Sequence, residues 1–160
     1  MTTSMMVQKQ LSEHLNDVYF GGNWTASSLK EHLTDLDWQT ATKTLHGCNS
    51  ILALTYHIHY FVRAVMPVLR GEALHAKDAL SFDHPDIDSQ QEWESFLATI
   101  FEEVKIFIKQ IDALPETKLF ETFVDKKYGT YYRNIQGLIE HTHYHLGQIV
   151  ILKKILVHTQ

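Results

Sequence analysis

Cysteine is almost missing from this chain. Cys48 stands alone, so no internal disulfide can form, and the expected home is a reducing cytoplasm. Arginine is nearly as scarce, with only Arg63, Arg70 and Arg133 in a chain of net charge −5. That leaves no electrostatic footprint for duplex nucleic acid and no basic face for a membrane surface. Apolar runs fall short of a membrane span, and the N-terminal stretch is too polar for a signal peptide. Three prolines and seven glycines form no linker, and no repeat or low-complexity tract divides the sequence. A Gly-rich phosphate loop, a nucleophile elbow and a His-Glu-x-x-His motif are also absent. At 160 residues, with 44% apolar and 21% charged, residues 1–160 are expected to form one globular domain with a single core.

What the chain has in unusual supply is histidine, with 11 copies. The most informative stretch is residues 140–148, Glu-His-Thr-His-Tyr-His-Leu-Gly-Gln. His141 and His145 lie four apart, on one face of a helix, separated by a rise of about 6 Å. Helical steps along that face read Asn134, Leu138, His141, His145, Gln148, Leu152 and Ile155. A second stripe holds Ile135, Ile139, Leu146, Ile149 and Leu156. Faces this apolar belong in a core, and paired imidazoles there point to metal ligation. A lone buried His is ordinarily a hydrogen-bonded core residue, but a pair at this spacing is less easily explained so.

Periodicity places the rest. Val7, Leu11, Leu15 and Val18 share a face of a first helix, which Gly21-Gly22 ends. Short helical pieces are expected at 29–36 and 38–45, the second capped by Asp37. A strong helix over 50–69 carries Ile51, Leu54, Ile58, Phe61, Val65 and Val68 at a 3.6-residue period, with Pro67 in its last turn and Gly71 beyond. Residues 72–88 read as an irregular connection. Ser89-Gln90-Gln91-Glu92 matches a capping box, opening a helix of Trp93, Phe96, Ile100, Val104, Phe107 and Ile111 that Pro115 closes. Residues 116–133 read as a structured loop, followed by the His-bearing helix to about Val157. Four main amphipathic helices and no alternating strand pattern give an all-α, four-helix-bundle fold.

A useful metal site needs a third ligand. On the 50–69 helix, His57 lies at the edge of the apolar face with Ala53, Phe61, Ala64 and Val68, whereas His59 aligns with Tyr56, Arg63 and Met66 on a more polar side. His57 is therefore the choice. Three neutral imidazoles leave the ion its charge and open positions for water or substrate. Glu140, Asn134, Gln148 and Tyr56 are candidate partners for the ring N–H groups. His143 points to another face. Glu140-x-x-His143 and Glu72-x-x-His75 match the Glu-x-x-His element of di-iron bundles, but the bridging carboxylates that such a site needs are not evident. Tyr128, Tyr131, Tyr132 and Arg133 precede the His helix and are candidates for a pocket rim. Cys48, near a helix start, reads better as a simple thiol than as a nucleophile.

A His in the second strong segment, then His-x-x-x-His followed by x-Gly-Gln in the last helix, resembles the DinB-like (DinB/YfiT) superfamily of four-helix bundles. Those positions here are His57, His141, His145 and Gly147-Gln148. The phrases Gly21-Gly22-Asn23-Trp24-Thr25, Tyr56-His57, Ser81-Phe82-Asp83-His84-Pro85 and Tyr128-Gly129-x-Tyr131-Tyr132-Arg133-Asn134 extend the likeness over nearly the whole chain. The resemblance implies an up-down-down-up bundle, a divalent zinc or nickel ion held by three His, and a homodimer. It further implies a small-molecule substrate. The activity would be that of a thiol-dependent transferase, using a low-molecular-weight thiol on small electrophiles, or that of a metal-dependent hydrolase. A non-catalytic metal- or ligand-binding protein is the third reading. A thiol bearing carboxylates would need basic partners, for which Arg63, Arg133, Lys126 and Lys127 are the candidates.

Overall fold

Short polar side chains start most of the helices of this protein, and Gly21 and Gly71 follow the ends of two of them. In the computed structural model, which describes residues 6–158, the six α-helices are α1 (Val7–Phe20), α2 (Leu29–Leu33), α3 (Trp38–Thr42), α4 (Ile51–Leu69), α5 (Gln90–Asp112) and α6 (Tyr131–His158). The ends of the expected 1–160 domain thus lie outside the described residues. Ser50 caps α4 by accepting from the Ala53 N–H at 3.1 Å, and Asp37 caps α3 by accepting from Thr40 at 2.7 Å. At α5 the Ser89 hydroxyl accepts from Glu92, while the Glu92 carboxylate takes the N–H of Asp88, one residue before the cap, at 2.8 Å. The capping box is therefore present in a form shifted by one residue. Gly21 ends α1 at φ 110°, a conformation that a side chain resists.

The two short helices are shorter than the pattern suggested, and 72–88 holds a single 3₁₀ turn, Asp78–Leu80. The 116–133 segment is ordered by two 3₁₀ turns, Glu116–Phe120 and Lys126–Tyr128, and by a lone bridge between Thr122 and Thr130. Among the described residues there is no strand. The fold is all-α.

Helix α1 packs on α5 and α6, and α4 packs on the same two helices. Their shared core includes Leu15, Val18, Tyr19, Ile58, Val62, Trp93, Phe107, Ile111, Ile135 and Ile149, all essentially solvent-free. Each such side chain contributes about 1.5–3 kcal/mol by leaving water. By length and composition α4 could cross a membrane, contrary to the sequence expectation, yet 61% of its most apolar window is buried inside the protein, as in a core helix. Within the stripe on α6, Leu138, His145 and Leu152 are buried, while Ile155 turns outward. Packing of α4 against α6 brings residue 57 to residues 141 and 145.

Candidate metal centre

The three histidines chosen from the sequence meet at one point. His141 Nε2 lies 3.0 Å from His57 Nε2 and 3.0 Å from His145 Nε2, and the three ligating atoms all fall within 4.8 Å of one another. His145 Nδ1 stands 2.6 Å from Gln148 Oε1. An amide oxygen only accepts, so Nδ1 carries the proton and the Nε2 lone pair faces the cluster. His141 Nε2 then cannot satisfy both neighbours. If it donates to His145, it meets the His57 ring with the same N–H; if it accepts from His57, two lone pairs face each other at His145. A cation at the common point removes the conflict, because all three Nε2 atoms can then present lone pairs.

Electrostatics keeps the rings in the ligating form. Burial, then the neighbouring His145 and His57, pushes His141 down to about 4. Burial and His145 also hold His57 below the ordinary imidazole value, with the Ser81 backbone and Asp78 pulling weakly the other way. Burial lowers His145, partly offset by Gln148. The donor set is thus three neutral nitrogens without a carboxylate or thiolate, which suits a borderline divalent ion such as zinc or nickel. The residues fit such an ion.

Packing does most to orient two of the rings, His57 also having the Ser81 backbone beside it in poor alignment. Phe82 stacks on His57 with centroids 4.0 Å apart and planes 7° from parallel. Phe61 meets both His57 and His141 edge-on at 5.2 Å. The Nδ1 atoms of His57 and His141 are buried without a hydrogen-bond partner. Of the four proposed orienting partners, only Gln148 serves. Asn134 donates to the Tyr128 and Thr130 carbonyls, Glu140 approaches Arg133, and the Tyr56 ring packs beside Tyr60 and His84.

A cleft of about 970 Å³ opens on His57 and His141, walled by Phe61, Phe82 and Leu138 and rimmed by Lys126, Lys127, Tyr128 and Arg133. Tyr131 and Tyr132 instead pack on Phe123 and Phe120. Arg63 is also elsewhere, in a two-pronged pair with Glu103 at 2.6 and 3.0 Å. His59, read as polar-facing, is in fact 3% exposed, 2.5 Å from the same carboxylate. Glu103, 44 residues away in sequence on α5, gives that buried ring its partner, and local phase could not reveal it. Glu72 pairs with Arg70, His143 is half-buried away from the cluster, and Cys48 is exposed. Missed at the sequence level were Phe82 and Asp78, which sit in an aperiodic segment and give no helical signal. Fold and site together define an all-helical protein with a three-His cluster that could hold a metal ion. No family model, curated protein or solved structure matches the chain.

Proposed function

We propose that this protein is a metal-dependent enzyme of DinB-like type: a four-helix bundle of up-down-down-up arrangement, cytoplasmic and dimeric, with His57, His141 and His145 as ligands to zinc or nickel. The observation that carries the reading is the convergence of three neutral Nε2 atoms, two of whose rings, His57 and His141, line an open cleft. A divalent ion there supplies positive charge that favours thiolate over thiol and acidifies a coordinated water. The chain's own part is to keep the three rings unprotonated, to shield them with Phe61 and Phe82, and to leave one side open to a small molecule.

The preferred reaction is transfer of a low-molecular-weight thiol to a small electrophile. The cleft rim supports it, since Lys126, Lys127 and Arg133 can receive the carboxylates of such a thiol. One observation favours hydrolysis instead: Asp78 lines the same cleft as the acidic residue a water-activating base would require. Conjugation of monochlorobimane by the zinc- or nickel-loaded protein distinguishes them. Thiol-dependent turnover that disappears in His57→Ala supports transfer. Absence of any thiol dependence overturns transfer and leaves hydrolysis or plain binding. Dimerisation is supported by the exposed apolar residues Tyr144 and Ile151 on α6; a strictly monomeric protein in micromolar sedimentation removes it.

A further inference from the structure

We propose that Arg133 is the anion-binding residue of the cleft, so that the site's ligand is a small molecule with a metal-binding donor at one end and a carboxylate or phosphate at the other. This rests on the metal reading of the three histidines and adds the class of ligand. Gly137 lies in the body of α6, where a glycine weakens the helix and no turn requires it. A Cβ at that position would stand 3.1 Å from Arg133 Nη1. Gly129, at φ +75°, would place a Cβ 3.5 Å from the Cβ and Cγ of the same arginine. The stem and head of Arg133 therefore run between two positions that lack side chains. Its backbone N–H donates to Thr130 Oγ1 at 3.2 Å.

That route lays the guanidinium over Gly137, one helical turn before His141, about 6 Å along the axis. Arg133, Gly137 and His141 line the same cleft. Arg63 and Arg70 are engaged by Glu103 and Glu72, so Arg133 is the arginine at the site. Its ion pair with Glu140 is long, 3.4 Å, between side chains 64% and 58% exposed, and an exposed pair of this kind is easily exchanged. A guanidinium beside a divalent ion is unfavourable unless negative charge lies between them. A ligand whose oxyanion pairs with the fork of Arg133 while its other end reaches the ion supplies that charge. Lys126 and Lys127 on the rim reinforce it, and Asp78 on the wall beside His57 disfavours an anion placed there instead.

The test is calorimetric titration of zinc-loaded protein with mercaptopropionate, mercaptoethyl phosphate and uncharged mercaptopropionamide, in wild type, Arg133→Gln and Gly137→Ala. The expected result is about tenfold tighter binding of at least one acid than of the amide. Arg133→Gln should lose that preference, and Gly137→Ala should reduce it while the thermal midpoint is kept or raised. The tighter acid identifies the oxyanion. No preference in wild type, or a preference that survives Arg133→Gln, overturns the proposal. If the protein takes up no zinc, the metal reading fails separately. The Arg133 Nε–H resonance of metal-free protein, titrated with inorganic phosphate, then decides: a saturable shift supports the anion site, and no shift overturns it.

Discussion

Of the three clustered imidazoles, that of His145 alone has an aligned side-chain hydrogen bond to a group outside the cluster, and the consequence is measurable. Gln148 holds its tautomer at 2.6 Å, so Gln148→Ala should weaken zinc affinity by about 10–100-fold while leaving the ion-to-chain ratio near one at saturation. Competition with a chromogenic chelator reads that change. A second residue-scale prediction concerns Tyr19, fully buried against α6. Burial pushes its phenol far above the ordinary value, with Thr142 giving slight relief, and its oxygen makes no aligned hydrogen bond. The Thr142 hydroxyl already donates to the Leu138 carbonyl at 2.7 Å. The unfolded phenol ionises near pH 10 whereas the folded one stays neutral, so the stability Tyr19 contributes is complete below that pH and falls as pH rises beyond it. Tyr19→Phe should be close to neutral at pH 7 and should flatten the loss of stability between about pH 10 and 11.5 in urea titrations. A steeper alkaline loss in the variant would contradict this.

At the scale of elements, the helix ends were legible because caps are local chemistry. Ser89 illustrates the point: its hydroxyl takes the Glu92 N–H at 3.2 Å, and Ser89→Ala should cost about 1 kcal/mol of stability, read as a lower urea midpoint at unchanged slope. The phase of α4 and α6 was equally legible, since 3.6-residue periodicity placed His57, His141 and His145 on facing sides. Where the periodic signal stopped, so did the reading. The turn at 78–82 carries Phe82 onto the His57 ring, yet its short aperiodic sequence contains nothing that aims it. His59 was misjudged for a related reason, because its polar partner Glu103 belongs to another helix. The Asn23 amide bonds the Asp17 and Ser27 carbonyls at 2.8 and 2.6 Å, closing the turn after α1.

For the whole molecule, ligation between α4 and α6 would tie two helices whose contact builds the core, so metal and stability must be linked. An ion binding only the folded state, at about a thousand times its dissociation constant, adds about 4 kcal/mol. In a chain of 160 residues that corresponds to a rise in Tm on the order of 10 °C, which a chelator should reverse. A Tm indifferent to zinc, nickel and chelator would show that the cluster is a polar filling of the core. The all-helical architecture followed from sequence because amphipathic periodicity is strong and strand alternation absent. The chemistry is less legible, because reaction type depends on what fills the cleft rather than on which rings line it.

The central claim is that His57, His141 and His145 hold one divalent ion. Metal content by plasma mass spectrometry tests it most directly, on untagged protein purified without immobilised metal, beside the three single alanine variants and with helicity checked by circular dichroism. The expected result is about one ion per chain, lost in each variant with helical content retained. No metal in the wild type after reconstitution with zinc and nickel, or full metal retained by His141→Ala, would contradict it.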